Sequence, residues 1–278
     1  MEEETFQNST VPSEPTKQQV YQKGQDDMIT LKRNSFITIL STRKSGKSYL
    51  IAQLIYNFMI NPEDNNCDLL YMFSNTAKFE ENGSYSFVDK KVIFKANPEN
   101  VEKIVNRILE VQLETKKKHH ILLIFDDIDL SAKYSNSIEK LATMGRHYNI
   151  TTILSAQVAT SAVSPAIRNN TSYLFFRKLN SETMKKQIYS MVISNTFESP
   201  EEFKTHVNNC ISDYQFLFYD NDSDDKNLHI IKASPIPKSF RYTVKAPPKE
   251  TQQPKKHVGW GAPMNLTYFD SEGNPRKK

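Results

Sequence analysis

The chain has 278 residues, 38% of them hydrophobic and 24% charged, with a formal net charge of +4. That length allows one large domain with tails or two small domains, and the composition excludes a chain disordered throughout. There is no eighteen-residue apolar run, the opening MEEETFQNST is acidic and polar, and Cys67 and Cys210 show no metal-ligand spacing, so a reducing, intracellular setting without transmembrane segment or signal peptide is expected.

Residues 1–30 hold six acids against two lysines, lack hydrophobic periodicity and read as a disordered acidic leader. A strand is expected over FITIL, 36–40, and a helix over 47–60, where Leu50, Ile51, Leu54, Ile55 and Phe58 recur at helical spacing. Between them lies STRKSGKS. A strand, a short turn and a helix in this order form a phosphate loop, because successive backbone amides and the positive helix N-terminus converge on one anion. The nucleotide-binding candidates are Ser41, Thr42, Arg43, Lys44, Ser45, Gly46, Lys47, Ser48 and Tyr49. Lys47 would reach the β- and γ-phosphates and the Ser48 hydroxyl would ligate Mg²⁺. Gly46, one of only seven glycines, would let the backbone close on phosphate. The pattern departs from G-x-x-x-x-G-K-[ST] at Ser41, which is small enough provided its φ is negative.

Further strands are expected over DLLYMFS, 68–74, and KVIFK, 91–95, with a helix over 99–116 that repeats Val101, Ile104, Val105, Ile108, Leu109 and Leu113. The lysines of KKKHH after it read as helix-end charges. ILLIFDD, 121–127, is a buried strand ending in two carboxylates at the sheet edge where ligands bind. Asp126 is assigned to the metal and Asp127 to activation of the attacking water, with Asp129 as the alternative for the second role. A helix over 131–147, starting from an N-cap at Ser131, carries Gly145, the only glycine between Gly83 and Gly259 and so one with an expected conformational task. The strand TTILSAQ, 151–157, ends in Gln157, whose amide can hydrogen-bond a γ-phosphate or the attacking water. SYLFFRK (172–178), helices over 180–193 and 199–210, and strands over 214–220 and 227–232 follow. Alternation of this kind implies a mostly parallel sheet with right-handed crossovers and helices on both faces. Residues 31–232 would form this domain. Residues 233–278 are proline-rich and hold nine Lys or Arg against three acids; they read as a basic C-terminal tail, docked in part through Trp260 and Tyr268, that either stays solvated or touches phosphate backbone or an acidic partner.

In this order STRKSGKS, LLIFDDID, MGRHYNITTILSAQ and SPAIRNNTSYLFF resemble the viral DNA-packaging ATPases of the FtsK–HerA superfamily, in particular the poxvirus-type branch, over roughly residues 34–195. The resemblance implies a RecA-like P-loop NTPase core in which the Gln157 strand lies between the phosphate-loop strand and the Asp126 strand. It implies ATP and Mg²⁺ as cofactors and a homo-oligomeric ring, pentamer or hexamer, that drives double-stranded DNA without sequence specificity into a preformed capsid. A capsid vertex or portal protein is the further partner, in the host cytoplasm at a viral factory or in the virion. An arginine of one subunit would complete the site of the next. Arg146 is the first choice, with Arg168 and Arg177 as alternatives. DNA contact would fall on the loop 158–168 and around Lys133. Two other functions stay open: an assembly scaffold that binds ATP with slow or no hydrolysis, and a cellular HerA-like helicase or translocase.

Overall fold

Between residues 31 and 244 the computed structural model describes all but 43, 61–65, 78–82, 129–131, 158–162, 178, 180–181, 190–196, 198, 210–213 and 224–227; it also describes residues 21–22. Arg43, Asp129, Ser131, Trp260, Tyr268 and the loop 158–162 therefore lie outside the described residues. So do the side chains of Lys133 and Gln157.

Buried apolar runs form the centre of the molecule. The strands are β1 (Tyr21–Gln22), β2 (Phe36–Ser41), β3 (Leu69–Ser74), β4 (Ile93–Phe94), β5 (Ile121–Asp126), β6 (Ile150–Gln157), β7 (Tyr173–Arg177), β8 (Gln215–Asp220) and β9 (Leu228–Lys232). Among the described residues they make one sheet in the order β1-β9-β8-β7-β2-β6-β5-β3-β4. The helices are α1 (Lys47–Ile60), α2 (Pro98–Glu114), α3 (Ala132–Met144), α4 (Pro165–Asn170), α5 (Glu182–Ile188) and α6 (Pro200–Asn209). None of the described helices is long and apolar enough to cross a membrane.

Successive side chains of each strand feed opposite faces, the period-2 rule of an extended chain. Leu123 and Phe125 of β5 pack with Ile104, Val105 and Ile108 of α2 and Ile138 and Leu141 of α3. Leu122 and Ile124 pack on the other face with Leu50, Ile51 and Ile55 of α1. Both faces are thus covered, and β2, β5, β6 and β7 are buried almost throughout. Pairing from β4 through β7 is parallel, while β8 runs antiparallel to both neighbours. Two helices separate β7 from β8, so the chain returns to the edge it left; one crossover helix would have carried it to the other edge and a parallel strand. β4 is shorter than KVIFK suggests because Lys90–Val92 curl into a 3₁₀ turn, with the Asp89 side chain accepting from the Lys91 amide at 3.0 Å.

Two readings of the ends are amended. Tyr21 and Gln22, within the expected leader, pair parallel with His229 and Ile230. Residues 233–244, read as the start of the tail, pack on the α1 face. There the Tyr242 hydroxyl accepts from the Leu70 amide at 2.9 Å, Tyr242 bridges Val88, and Phe240 meets Tyr56 and Phe87 at ring separations of 5.0 and 5.6 Å. Proline and lysine content suggested a tail, but aromatics spaced two apart fill a groove on the sheet. A chain ending at residue 232 is therefore expected to be less stable than one ending at 244 by at least about 3 kcal/mol, since it loses two large aromatic side chains from this packing. Denaturant melts of the two truncations measure this, and equal midpoints would put the domain boundary back at 232.

Candidate functional site

The carboxyl ends of β2, β3, β5, β6 and β7 share one edge of the sheet. Register fixes which residues meet there: Ser41 pairs with Gln157 on one side and with Arg177 on the other, and Ser74 pairs with Asp126. The phosphate loop starts from this row.

Gly46 takes a φ of +89°, which a side chain rarely adopts, and its carbonyl accepts from the Tyr49 and Leu50 amides, each at 3.1 Å, as α1 begins. A Cβ at position 46 would also meet the Tyr214 ring at 3.1 Å. Lys44 lies in the left-handed region as well, at φ 57°, and is exposed. Ser41 is absent from the positive-φ positions and fully buried, and its hydroxyl shares a 2.7 Å hydrogen bond with that of Ser45. Serine therefore meets the φ condition and adds a cross-loop bond that glycine could not. Thr42 is half-buried between strand and loop. The buried guanidinium of Arg177 donates to the Ser45 carbonyl and lies 5.9 Å from the centre of the Phe216 ring.

Lys47 begins α1 and is buried, with its ammonium 3.3 Å from Oδ1 of Asp127. Asp126 is the last residue of β5 and is 4% exposed, whereas Asp127 has left the strand at φ 56° and is open to solvent. The two carboxylates thus occupy different environments: one sunk beside the sheet, one at the mouth. Burial pushes the Asp126 pKa up, and the Tyr85 hydroxyl and the Lys47 ammonium oppose that shift. Tyr85 itself is pushed well above the usual range, first by burial and then by the charge of Asp126.

Tyr85 and Ser155 were not singled out in the sequence. The Tyr85 hydroxyl lies beside Ser48 and Asp126, and the Ser155 hydroxyl lies beside Asp126. Both oxygens are buried and close enough to Asp126 to favour its carboxylate, yet neither completes a hydrogen bond of good geometry. Such orphans are costly unless something supplies partners. A hydrated Mg²⁺ would do so, since such an ion takes carboxylate, hydroxyl and phosphate oxygens and keeps several of its waters. Asp126 and Ser48 fit the direct ligands, and Tyr85 and Ser155 fit as acceptors for those waters. Among the described residues there is no group of three His, Cys, Asp or Glu side chains that could hold a metal ion. Ser155 could have been found as the residue two before Gln157, on the same face of the strand. Tyr85 sits in an aperiodic stretch that carries no such signal.

Arg146 is elsewhere. It is exposed in the 3₁₀ turn Gly145–Tyr148 before β6, at the sheet edge opposite the phosphate loop. There it lines a polar cavity of about 200 Å³ with Lys32, Arg33, Asn34, Asn170 and Asn221. Crossing β6, eight residues long, separates it from its own loop by roughly 25 Å. Arg168 lies in α4 next to Asn169, which lines the same cavity. Arg177, by contrast, is engaged by its own subunit's loop, which removes it from the candidates for a neighbour's site. The expected task of Gly145 is not seen: its φ is not positive, and a Cβ there would make ordinary contacts from 3.6 Å outward.

A family model described as "Poxvirus A32 protein" matches residues 50–199, which take in the acidic pair, Arg146 and the Gln157 strand and begin just past the phosphate loop. The chain is 24% identical over 196 residues to an uncharacterized protein of Acanthamoeba polyphaga mimivirus, covering 66% of this chain and 66%, just under two thirds, of that protein. It is 26% identical over 205 residues to an uncharacterized protein of Invertebrate iridescent virus 6, covering 69% and 72%. Among solved structures, it is similar to the genome packaging NTPase B204 from Sulfolobus turreted icosahedral virus 2 in complex with AMPPCP. The TM-score is 0.53 at 18% identity, over 73% of this chain and 98% of that one. The DNA-packaging ATPase B204 from Sulfolobus turreted icosahedral virus gives a TM-score of 0.52 at 19% identity, over 74% and 100%. At these identities the likeness establishes the fold, that of a P-loop NTPase.

Proposed function

The chain belongs to the poxvirus A32 protein family, and from that premise we propose that it is an ATP-driven motor that packages viral double-stranded DNA into capsids. One observation carries the reading: Lys47 and Asp127 stand 3.3 Å apart beside buried Asp126, with Ser41 and Gln157 paired on the same sheet edge. Three segments distant in sequence meet at this edge, which supports a shared triphosphate and its magnesium as their ligand. In this reading Lys47 holds the β- and γ-phosphates, Ser48 and Asp126 hold Mg²⁺, Asp127 orients and deprotonates the attacking water, and Gln157 senses the γ-phosphate. The bound Mg²⁺ supplies neutralisation of the phosphate charge.

Arg146 lies too far from its own loop to complete it, which suits a residue that acts on the neighbour in a pentameric or hexameric ring. A capsid vertex or portal protein would anchor that ring, at a viral factory or in the virion. DNA would be held through phosphates alone, so affinity should fall steeply with salt. The scaffold alternative draws on the missing first glycine and on the proline-rich basic tail, and the Ser41–Ser45 bond weakens the first of these grounds.

The test is ATP hydrolysis with and without duplex DNA. Strong stimulation by DNA is expected; nucleotide binding with no turnover under either condition would favour the scaffold. Arg146→Ala should leave ATP binding by a single subunit unchanged and lower turnover of the ring by about a thousandfold or more, the scale of a trans arginine. Mixing it with Lys47→Ala should restore part of the activity, because some interfaces then pair an intact loop with an intact arginine. If no mixture recovers turnover, the trans role passes to Arg168.

A further inference from the structure

Tyr214 is unusual in two respects. It adopts a φ of 62° although it is a bulky residue, and 47% of it is exposed. A left-handed backbone and an exposed aromatic ring both cost stability, and strain of this kind collects at functional sites. The position is well fixed: the Ala233 amide donates to the Tyr214 carbonyl at 2.9 Å, which ties the residue to the chain leaving β9. The ring rests on the phosphate loop, 3.1 Å from where a Cβ of Gly46 would stand, and lies 5.0 Å from the ring of Tyr49 at an interplanar angle of 46°. Tyr49 directly follows Ser48 and is itself half-buried. Two aromatic rings therefore meet at the start of α1, Tyr49 from its first turn and Tyr214 from the residue just before β8.

Under the roles proposed above, a triphosphate bound by the amides of this loop would have its terminal phosphate toward Lys47, Asp126 and Asp127. Its ribose and base must leave from the other side of the loop, past the first turn of α1. We propose that Tyr214 and Tyr49 form the surface on which the base of the bound nucleotide stacks, and that the site accepts nucleoside triphosphates with little discrimination among bases. Stacking is indifferent to sequence because every base has a π-face. The proposal rests on the nucleotide site proposed above and adds its base subsite and substrate range.

The test uses the full chain with Mg²⁺ and four probes: ATP, GTP, CTP and inorganic tripolyphosphate as a competitor that lacks a base. The wild-type KM values for the three nucleotides should lie within about fivefold of one another. Tyr214→Gly, which removes the ring and also relieves the positive φ, should raise all three by roughly 10–100-fold, the range of one lost stacking contact. Its kcat should change less than about twofold and its thermal midpoint should not fall. Tyr214→Phe should behave as wild type. Inhibition by tripolyphosphate should be the same in wild type and Tyr214→Gly. An unchanged KM in Tyr214→Gly overturns the subsite. Weakened tripolyphosphate inhibition also overturns it, because the ring would then act through the shape of the loop. A wild-type preference for one base beyond about a hundredfold overturns the substrate range. Failure of the nucleotide site itself looks different: the wild type would bind none of the four probes.

Discussion

Replacing Lys47 with alanine is expected to lower ATP turnover by about a thousandfold or more, close to background. A buried cation aimed at charge that grows in the transition state is worth on the order of 3–4 kcal/mol in a water-excluded site. Among the described residues nothing in reach replaces it. Arg177, the other buried cation at this edge, is engaged by the Ser45 carbonyl, and Lys44 is exposed. Lys47→Arg should fare little better, since a planar guanidinium does not fit where a slender ammonium is 8% exposed. The loss should appear in phosphate release and in the affinity for a fluorescent ATP analogue, while the thermal midpoint changes little. A Lys47→Ala protein that still turns over ATP at a tenth of the wild-type rate would remove the phosphate loop from the mechanism.

Asp127→Asn should separate binding from chemistry. Asparagine tolerates the left-handed backbone at φ 56° as aspartate does, so the fold is kept. The ion pair with Lys47 is lost, but one partner is well exposed, which limits its worth to at most about 1 kcal/mol. ATP should therefore bind as tightly as before or more tightly, while turnover falls by about 10²–10⁴, the range for removal of a positioned general base. Asp126→Asn should instead abolish the Mg²⁺ dependence of binding. If Asp127→Asn hydrolyses ATP at the wild-type rate, water activation belongs to another group, with Asp129 next in line.

Much of the core was legible because apolar periodicity is a local property. Residues 47–60 are a helix with the expected five residues buried, and the principal strands end within a residue or two of their expected limits. The order of the motifs led to the poxvirus-type resemblance, which the family match bears out, and the Gln157 strand does lie between those of Ser41 and Asp126. What the text did not reveal depends on returns of the chain. Nothing in YQFLFYD states that β8 runs antiparallel; that follows from two helices in the preceding connection. Likewise the buried Tyr85 hydroxyl and the strained Tyr214 acquire meaning only from neighbours more than thirty residues away, and Tyr242 hides in a segment whose composition resembles a tail.

The pairing of Lys47 with Asp127 has a consequence for the idle protein. If Lys47 holds phosphate and Asp127 activates water, their pairing across 3.3 Å sets the two roles in competition. A γ-phosphate would then compete for the lysine and, in winning it, release the aspartate. Under the roles proposed, occupancy itself would arm the base, so that an empty subunit stays inert and fuel is spent only where it has been loaded.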